Sequence, residues 1–382
     1  MRFRRFGRTG WEVSVLGFGA MRLPHEDDQP SGIIEDRATD LISTAIDQGV
    51  NLVDTAYPYH GGESESFLGR ALTEGYRNRV RLVTKMPSWK VEHDYDFDRY
   101  LDEQLERLDT ERIDLYLLHG LTEGRWEKLR ELGVLDWAER KMADGAFGFL
   151  GFSFHDTFNV FKDIVDCYEG WAAVLLMYNY LDIDYEAGRA GVQYAAERDI
   201  AVMVMEPLRG GLLARKPPSE IEALFEKAAN KRTPADWALQ WLWNQEEVSV
   251  VLSGMSDMQQ LRENLASADR SGRGSLTADE LRLLERVRKA YLARSAVRCT
   301  YCGYCVPCPR GVAIPRIFEY LNLMRMFDDP VEARRLYEFL GDDKRPPACD
   351  GCGQCEESCP QGIPVRDWLQ RAHVELEPSE NG

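Results

Sequence analysis

Residues 81–119 read RLVTKMPSWKVEHDYDFDRYLDEQLERLDTERIDLYLLH. The outer runs, RLVTK (81–85) and DLYLLH (114–119), are short and apolar and predict buried strands, and the stretch DFDRYLDEQLERLD between them has a helical pattern. A strand, a helix and a second strand in that order form the repeating unit of a parallel sheet.

The alternation continues on both sides. Further strands are expected at VLGFG (15–19), NLVDT (51–55), FGFLGFS (147–153), AVLLMYN (173–179), AVMVME (201–206) and VSVVLSG (248–254), with helix-like stretches such as DRATDLISTAIDQG between them. Eight apolar strands, each followed by a helical pattern, read as an α/β fold whose parallel sheet closes into a (β/α)8 TIM barrel. Doubly wound sheets alternate in the same way, and the count of eight favours the barrel. A chain of 382 residues has room for a barrel of about 250–300 residues and a small second module.

Barrel active sites form at the C-terminal ends of the strands, so polar residues there carry the chemistry. Asp54 ends the second strand and Tyr59 follows it in DTAYPY (54–59), while Lys85 ends the third strand and His119 the fourth. Such a set makes a proton donor. A phenol with a pKa of about 10 is a poor acid at neutral pH. An ammonium nearby lowers that value, and a carboxylate keeps the ammonium charged and in place. The histidine can orient a carbonyl oxygen for protonation while a hydride reaches its carbon. Taken singly, Asp54 also reads as a helix cap, Lys85 as a solvated strand end and His119 as a loop residue. Their recurrence at successive strand ends makes coincidence a poor account.

After Ser267 the pattern changes. A polar turn, RSGRG (270–274), leads into LTADELRLLERVRKAYLARS, a helix with Thr277 as N-cap and Glu280 completing a capping box. The organisation expected is a barrel over 1–268, a linker helix over 269–298, an α-helical module over 299–375 and a disordered tail over 376–382. Within the module, cysteines stand at Cys299, Cys302, Cys305 and Cys308 before Pro309, and at Cys349, Cys352, Cys355 and Cys359 before Pro360. Three thiols at every third position, a fourth shortly after and then a proline match the backbone that wraps a cubane iron–sulfur cluster. Two runs imply two 4Fe–4S clusters. In two-cluster ferredoxins the fourth cysteine of one run ligates the other cluster, which assigns Cys359 to the first run's cluster and Cys308 to the second's. Structural zinc uses C-x2-C pairs separated by a long spacer, which leaves the third cysteine of each run without a place. The segment between the runs is helical in pattern and interrupted near Pro330. The remaining cysteine, Cys167, lies in a helical, apolar setting and reads as a core residue.

A net charge of −17 with no offsetting basic stretch argues against nucleic acid or an anionic membrane as partner. No window reaches transmembrane length. Arg4-Arg5-Phe6 faintly resembles a twin-arginine export signal, but the apolar stretch from Val13 to Met21 is broken by glycines and lacks a small-residue cleavage site. A β-hairpin turning at GRTG (7–10) explains those residues better. A cytoplasmic location, where reduced thiols permit cluster assembly, is the expectation.

Over residues 1–268 the chain resembles the aldo-keto reductase superfamily. The likeness rests on GFG (17–19), DTA (54–56) with Tyr59, GESE (62–65) ahead of Leu68-Gly69, and Thr84-Lys85. It continues through LLH (117–119), GFS (151–153), Tyr178-Asn179 and GMS (254–256) followed by Glu263-Asn264. The whole chain is similar to the bacterial and archaeal branch that adds a C-terminal ferredoxin-like domain. What the resemblance implies is NAD(P)H-dependent reduction of a small aldehyde or ketone, with Tyr59 as acid, Lys85 and Asp54 tuning it and His119 orienting the substrate. It also implies cofactor contacts from Gly19, Ser153, Asn179, Gly210, Gly211, Ser253, Gly254, Ser256, Gln260, Glu263 and Asn264. In that arrangement the eighth strand and its helix hold the phosphates and the adenine.

The chain also departs from the family. Where members offer an asparagine to the nicotinamide carboxamide, Phe154 and His155 follow Ser153. Leu175 stands in place of a glutamine, Met205 in place of a tyrosine that stacks on the ring, and Gln260, with Arg262 nearby, in place of an arginine for the 2′-phosphate. NAD against NADP is therefore open, and so is nicotinamide as sole donor. A hydride carries two electrons while a cubane passes one, so exchange between them calls for a cofactor that does both, such as a flavin. No flavin fingerprint is present, although Gly210-Gly211 after the seventh strand permits close backbone approach to a phosphate.

The expected function is that of an oxidoreductase that reduces a carbonyl with the four strand-end residues and uses its clusters for electron transfer. Two other readings stay open. In one, a ferredoxin or another electron-transfer protein supplies the electrons and nicotinamide is dispensable. In the other, the barrel is a redox-sensing subunit with structural clusters, which the intact tetrad disfavours. Trp89, Tyr57, Trp126 and Phe154 are candidates to wall an apolar substrate pocket.

Overall fold

The computed structural model describes residues 1–26, 29–299, 305–359 and 361–377. All eight expected strands form. They are β1 (Leu16–Gly19), β2 (Leu52–Asp54), β3 (Arg81–Met86), β4 (Ile113–Leu121), β5 (Phe147–Phe154), β6 (Ala173–Met177), β7 (Ala201–Met205) and β8 (Val248–Ser253). Each pairs in parallel with its successor, and β8 pairs with β1 to close the ring. Their near-continuous apolar character follows from burial on both faces, since a barrel strand has the lumen on one side and helices on the other.

One buried cluster joins lumen residues such as Leu52, Val83, Leu115, Leu175, Met203 and Val250 to Phe6 and Val13. The last two belong to the N-terminal hairpin, in which Phe3–Arg5 pairs with Glu12–Ser14. Each such fully buried side chain contributes about 1.5–3 kcal/mol, so the hairpin is a plug and not an appendage. Gly7 in its turn has φ +47°, and a Cβ there would lie 2.6 Å from Ala201 N, so only glycine lets the turn seat against the start of β7. Arg4 is drawn inside as well. Its guanidinium donates to the carbonyls of Trp243, Val248 and Gln245, and burial lowers its pKa to about 10.

The chain packs as two compact units. The first comprises Met1–Ala214 and Thr233–Thr277, and the second Arg215–Arg232 with the described residues from Ala278 onward. Residues 215–232 fall within the span that the sequence reading gives to the barrel. Their helix, Ser219–Phe225, instead packs on the helix Ala278–Ala293, burying Ile221. Asn230 Nδ2 donates to Glu280 Oε1 at 3.0 Å, and Arg232 pairs with the same carboxylate. The helix expected to be a linker is thus a core element of the second unit, with Leu283, Leu284, Val287 and Tyr291 buried.

That unit continues through the helices Ile314–Phe327, Pro330–Glu338, Gln354–Glu357 and Val365–Leu376, and its described residues form no strand. The break expected near Pro330 is present. Asp328 takes φ +53°, Asp329 caps the next helix by accepting from Glu332 N, and Pro330 occupies its first turn. Buried Asn322 accepts from Val297 N at 3.0 Å and donates to Val297 O at 2.8 Å, anchoring the chain just before the first cysteine run. Cys302 and residues 378–382 of the expected tail lie outside the described residues. Among the described residues no helix is long and apolar enough to cross a membrane.

Candidate active site and metal centre

Three adjacent strands bring the four strand-end residues together. Asp54 closes β2, Lys85 lies one residue before the end of β3, and His119 lies near the end of β4. Tyr59 opens the short 3-10 turn Tyr59–Gly62, which His60 and Gly61 bend back with left-handed backbones. Lys85 Nζ donates to Asp54 Oδ2 at 2.8 Å and to Thr55 O at 2.7 Å, and lies 3.3 Å from Tyr59 OH. The Tyr59 and His119 rings meet edge to face with centroids 6.2 Å apart. Asp54 Oδ1 and His119 Nδ1 are buried and have no partner among the described residues. Orphaned polar atoms of this kind mark a place prepared for another group.

Electrostatics refine the roles. Burial pushes the Tyr59 phenol above the ordinary tyrosine range, and the Lys85 ammonium opposes that without overcoming it. The net direction is therefore opposite to the lowering expected from the lysine alone, because dehydration of the phenolate costs more than one paired ammonium returns. Burial also opposes the charge on Lys85, but Asp54 and Tyr59 outweigh it and hold the ammonium above the usual lysine range. His119 is held well below the ordinary histidine value by burial, then by Lys85, His155 and Arg125, so its imidazole is neutral at pH 7. The arrangement is a protonated phenol, a fixed ammonium and a neutral imidazole at the top of a barrel.

Sequence reasoning missed the frame behind Lys85. Gln104 Nε2 donates to Lys85 O and Thr84 Oγ1, each at 3.1 Å, and to Glu65 Oε1 at 2.5 Å. Thr84 Oγ1 donates to the same Glu65 oxygen at 2.6 Å, and Tyr116 OH donates to Gln104 Oε1 at 2.6 Å. All four side chains are fully buried. The available signal was a glutamine in the apolar stripe of its helix, alongside Phe97, Tyr100 and Leu101.

The residues expected to hold a nucleotide divide into two groups. Those at the ends of β1, β7 and β8 converge. A Cβ on Gly19 would lie 3.5 Å from Ser253 O, and Ser253 Oγ accepts from Asn264 Nδ2 at 3.1 Å. Arg22 lies beside the residues that follow β7 and β8. A Cβ on Gly254 would lie 3.0 Å from its Cβ and one on Gly210 would lie 3.4 Å from its guanidinium, while Glu206 lies 4.0 Å away. Gly211 has φ +94° with open space beside it, a backbone that a phosphate can approach. Gln260 accepts from Ser256 N at 3.0 Å, and exposed Glu263 accepts from Gln259.

The second group is engaged elsewhere. Asn179 engages its amide in its own loop and at the end of β7, accepting from Leu181 N and Asp182 N and donating to Asp182 Oδ2 and Glu206 O. Ser153 Oγ accepts from Gly120 N at 2.7 Å. Leu175 pairs in register with Ser153 and belongs to the apolar cluster, so no side-chain amide stands at that level of β6. Of the four aromatics named for a pocket, Trp89 faces His119 with ring centroids 5.0 Å apart. Trp126 packs on Trp171, Phe154 on Phe161, and Tyr57 donates to Glu103.

In the second unit, Cys305, Cys308, Cys349, Cys352 and Cys355 line one cavity together with Pro307 and Pro309. Two cysteines of the first run, Cys305 and Cys308, thus stand beside three of the second. A donor set made of thiols suits iron–sulfur coordination. Cys167 lies apart in the barrel unit and is exposed, not the core residue expected, with its Sγ 3.2 Å from Ile164 O.

Residues 15–288 match the family model described as the aldo/keto reductase family, and residues 298–367 match the 4Fe-4S dicluster domain model. L-galactose dehydrogenase of Arabidopsis thaliana is 28% identical over 286 residues, covering 70% of this chain and 88% of that protein. An uncharacterized oxidoreductase of Bacillus subtilis is 27% identical, over 75% of this chain and 96% of its own length. The holo form of an aldo-keto reductase from Bacillus halodurans superimposes with a TM-score of 0.63 at 25% identity, covering 75% of this chain and 96% of that one. With its closed eight-stranded barrel and its cysteine-lined C-terminal unit, the chain belongs to the aldo/keto reductase family and carries a 4Fe-4S dicluster domain at its C-terminus.

Proposed function

We propose that this oxidoreductase reduces an aldehyde or ketone to the alcohol at the mouth of its barrel, in the cytoplasm. The observation that carries the reading is Lys85 Nζ, bonded to Asp54 and adjacent to Tyr59 OH beside a neutral His119. Tyr59 OH gives its proton to the carbonyl oxygen. Lys85 stabilises the phenolate left behind, Asp54 keeps Lys85 charged and directed, and His119 orients the carbonyl. A nicotinamide nucleotide, when bound, supplies the hydride that reaches the carbonyl carbon. Arg22, Gly210, Gly211, Gly254, Ser256 and Gln260 would hold its phosphates and adenine end, with NAD or NADP equally compatible.

The C-terminal unit would hold two 4Fe–4S clusters for electron transfer. Cys299, Cys302, Cys305 and Cys359 bind one, and Cys349, Cys352, Cys355 and Cys308 the other. The cavity that brings Cys305 and Cys308 together with Cys349, Cys352 and Cys355 supports thiolate coordination in this unit, and the exchange itself follows the pattern of two-cluster ferredoxins. A second reading, in which a ferredoxin-like protein supplies the electrons, is favoured by the apolar Leu175 level with Ser153, where a carboxamide ligand is lacking. Anaerobic turnover of a simple aldehyde with NADPH, NADH or reduced ferredoxin tests both. Turnover with none of the three overturns them together.

A further inference from the structure

Beyond the tetrad, the mouth of the barrel carries a cation that the chemistry above leaves unused. Arg125 donates to Gly120 O at 2.6 Å, and its guanidinium lies 5.7 Å from the Trp89 ring, which itself lies 5.0 Å from the His119 ring. Gly120, at φ +64°, fits between two side chains. A Cβ there would lie 3.2 Å from the Arg125 guanidinium and 3.8 Å from His155 Cδ2. His155 is held from behind by Glu186, whose Oε1 lies 3.1 Å from Nδ1. Asp156, the next carboxylate along, accepts from Glu123 N and Thr157 N. Among the described residues no carboxylate pairs with Arg125. Arg125 is thus half-buried, close enough to act on the His119 imidazole, and not neutralised by an acidic side chain in a chain of net charge −17. A partly dehydrated guanidinium gains most from an anion that it can grip with two N–H groups.

We propose that the substrate carries a carboxylate, received by Arg125 with His155 beside it. The inference rests on carbonyl reduction at Tyr59 and names the class of carbonyl compound. The steps of 5.0 Å from His119 to Trp89 and 5.7 Å from Trp89 to Arg125 set an upper bound on the separation of carbonyl and anion, so the substrate is an acid bearing an aldehyde or ketone within that reach. No step of the reaction changes. The carboxylate is a handle that converts binding energy into orientation of the carbonyl.

The test uses the full-length protein prepared anaerobically, with aldehydes of increasing chain length ending either in a carboxylate or in its methyl ester. The acid should exceed its ester in kcat/KM by at least about tenfold for one or more lengths, the factor carried by a hydrogen bond to a charged group. Arg125→Gln should abolish that preference and Arg125→Lys should keep part of it. Calorimetric binding of butanoate, which cannot react, should weaken by a similar factor in Arg125→Gln. A wild-type enzyme that prefers the esters at every length overturns the inference, as does Arg125→Gln with preference and butanoate affinity intact. Turnover of neither series with any of the three donors removes carbonyl reduction itself, and the inference falls with it.

Discussion

Lys85 Nζ donates to Asp54 Oδ2 at 2.8 Å inside the barrel, with side-chain exposures of 1% and 4%. A pair so far from water persists because each charge answers the other and Thr55 O takes a further ammonium hydrogen. Removing one partner strands the other. Asp54→Ala should therefore cost about 3–5 kcal/mol of unfolding free energy. Denaturant unfolding of the intact protein measures it, and a cost near zero would mean that Lys85 finds another route to neutralisation.

Tyr59→Phe should lower carbonyl reduction by about 10²–10⁴-fold, the usual contribution of a positioned general acid. Nucleotide affinity, read by fluorescence titration, should change little. Lys85→Met should be comparably severe. Near-normal turnover in Tyr59→Phe would remove the proton-donor role.

His119 links stability to acidity. Its folded pKa lies well below the ordinary value of about 6.5, first because of burial and then because of Lys85, His155 and Arg125. Below that pH the unfolded chain binds the extra proton and the folded chain resists it. The contribution is whole above pH about 6.5 and is lost as pH falls toward the folded pKa. Unfolding midpoints of wild type and His119→Phe should diverge in their pH slopes only under acid. Parallel slopes throughout would show that His119 titrates as it does in water.

Gln104→Leu should destabilise the protein by about 1–3 kcal/mol, because the Tyr116 hydroxyl and Lys85 O lose their buried partner. Since Lys85 O is one of those groups, carbonyl reduction should fall as well. Thermal melting and kcat measured on one preparation separate the two effects. A variant as stable and as active as wild type would make the network ornamental.

Anaerobically prepared protein should contain about eight irons and eight acid-labile sulfides per chain. Cys308→Ala should damage the cluster of the second run and Cys359→Ala that of the first, a difference resolved by electron paramagnetic resonance. If Cys308→Ala harms only the first-run cluster, each run closes on itself. Stoichiometric zinc in place of a brown chromophore would exclude both arrangements.

Much of this was legible along the chain, because strands and cluster loops are local patterns. RLVTK and DLYLLH are apolar over one strand length, and that periodicity needs no partner to be read. Cys299 to Cys308 and Cys349 to Cys359 carry their ligand spacing within a few residues. Asp54, Lys85 and His119 were found because successive barrel strands put their ends side by side. What escaped depends on distance between segments far apart in sequence. Gln104 meets Glu65 and Lys85 O only once a helix docks on β3, and residues 215–232 join the second unit by packing their helix, with Ile221 buried, on the helix Ala278–Ala293. The direction of the Tyr59 shift escaped for a different reason. Sequence supplies the neighbouring charge, whereas dehydration is a property of the packed volume, and here it outweighs the charge. His155 likewise comes to flank Gly120, opposite the locally placed Arg125, through the pairing of β4 with β5. The order of residues determined which chemistry the chain carries; the packing decided which groups lose water and which charges share a site, because burial and proximity are set by closure of the ring.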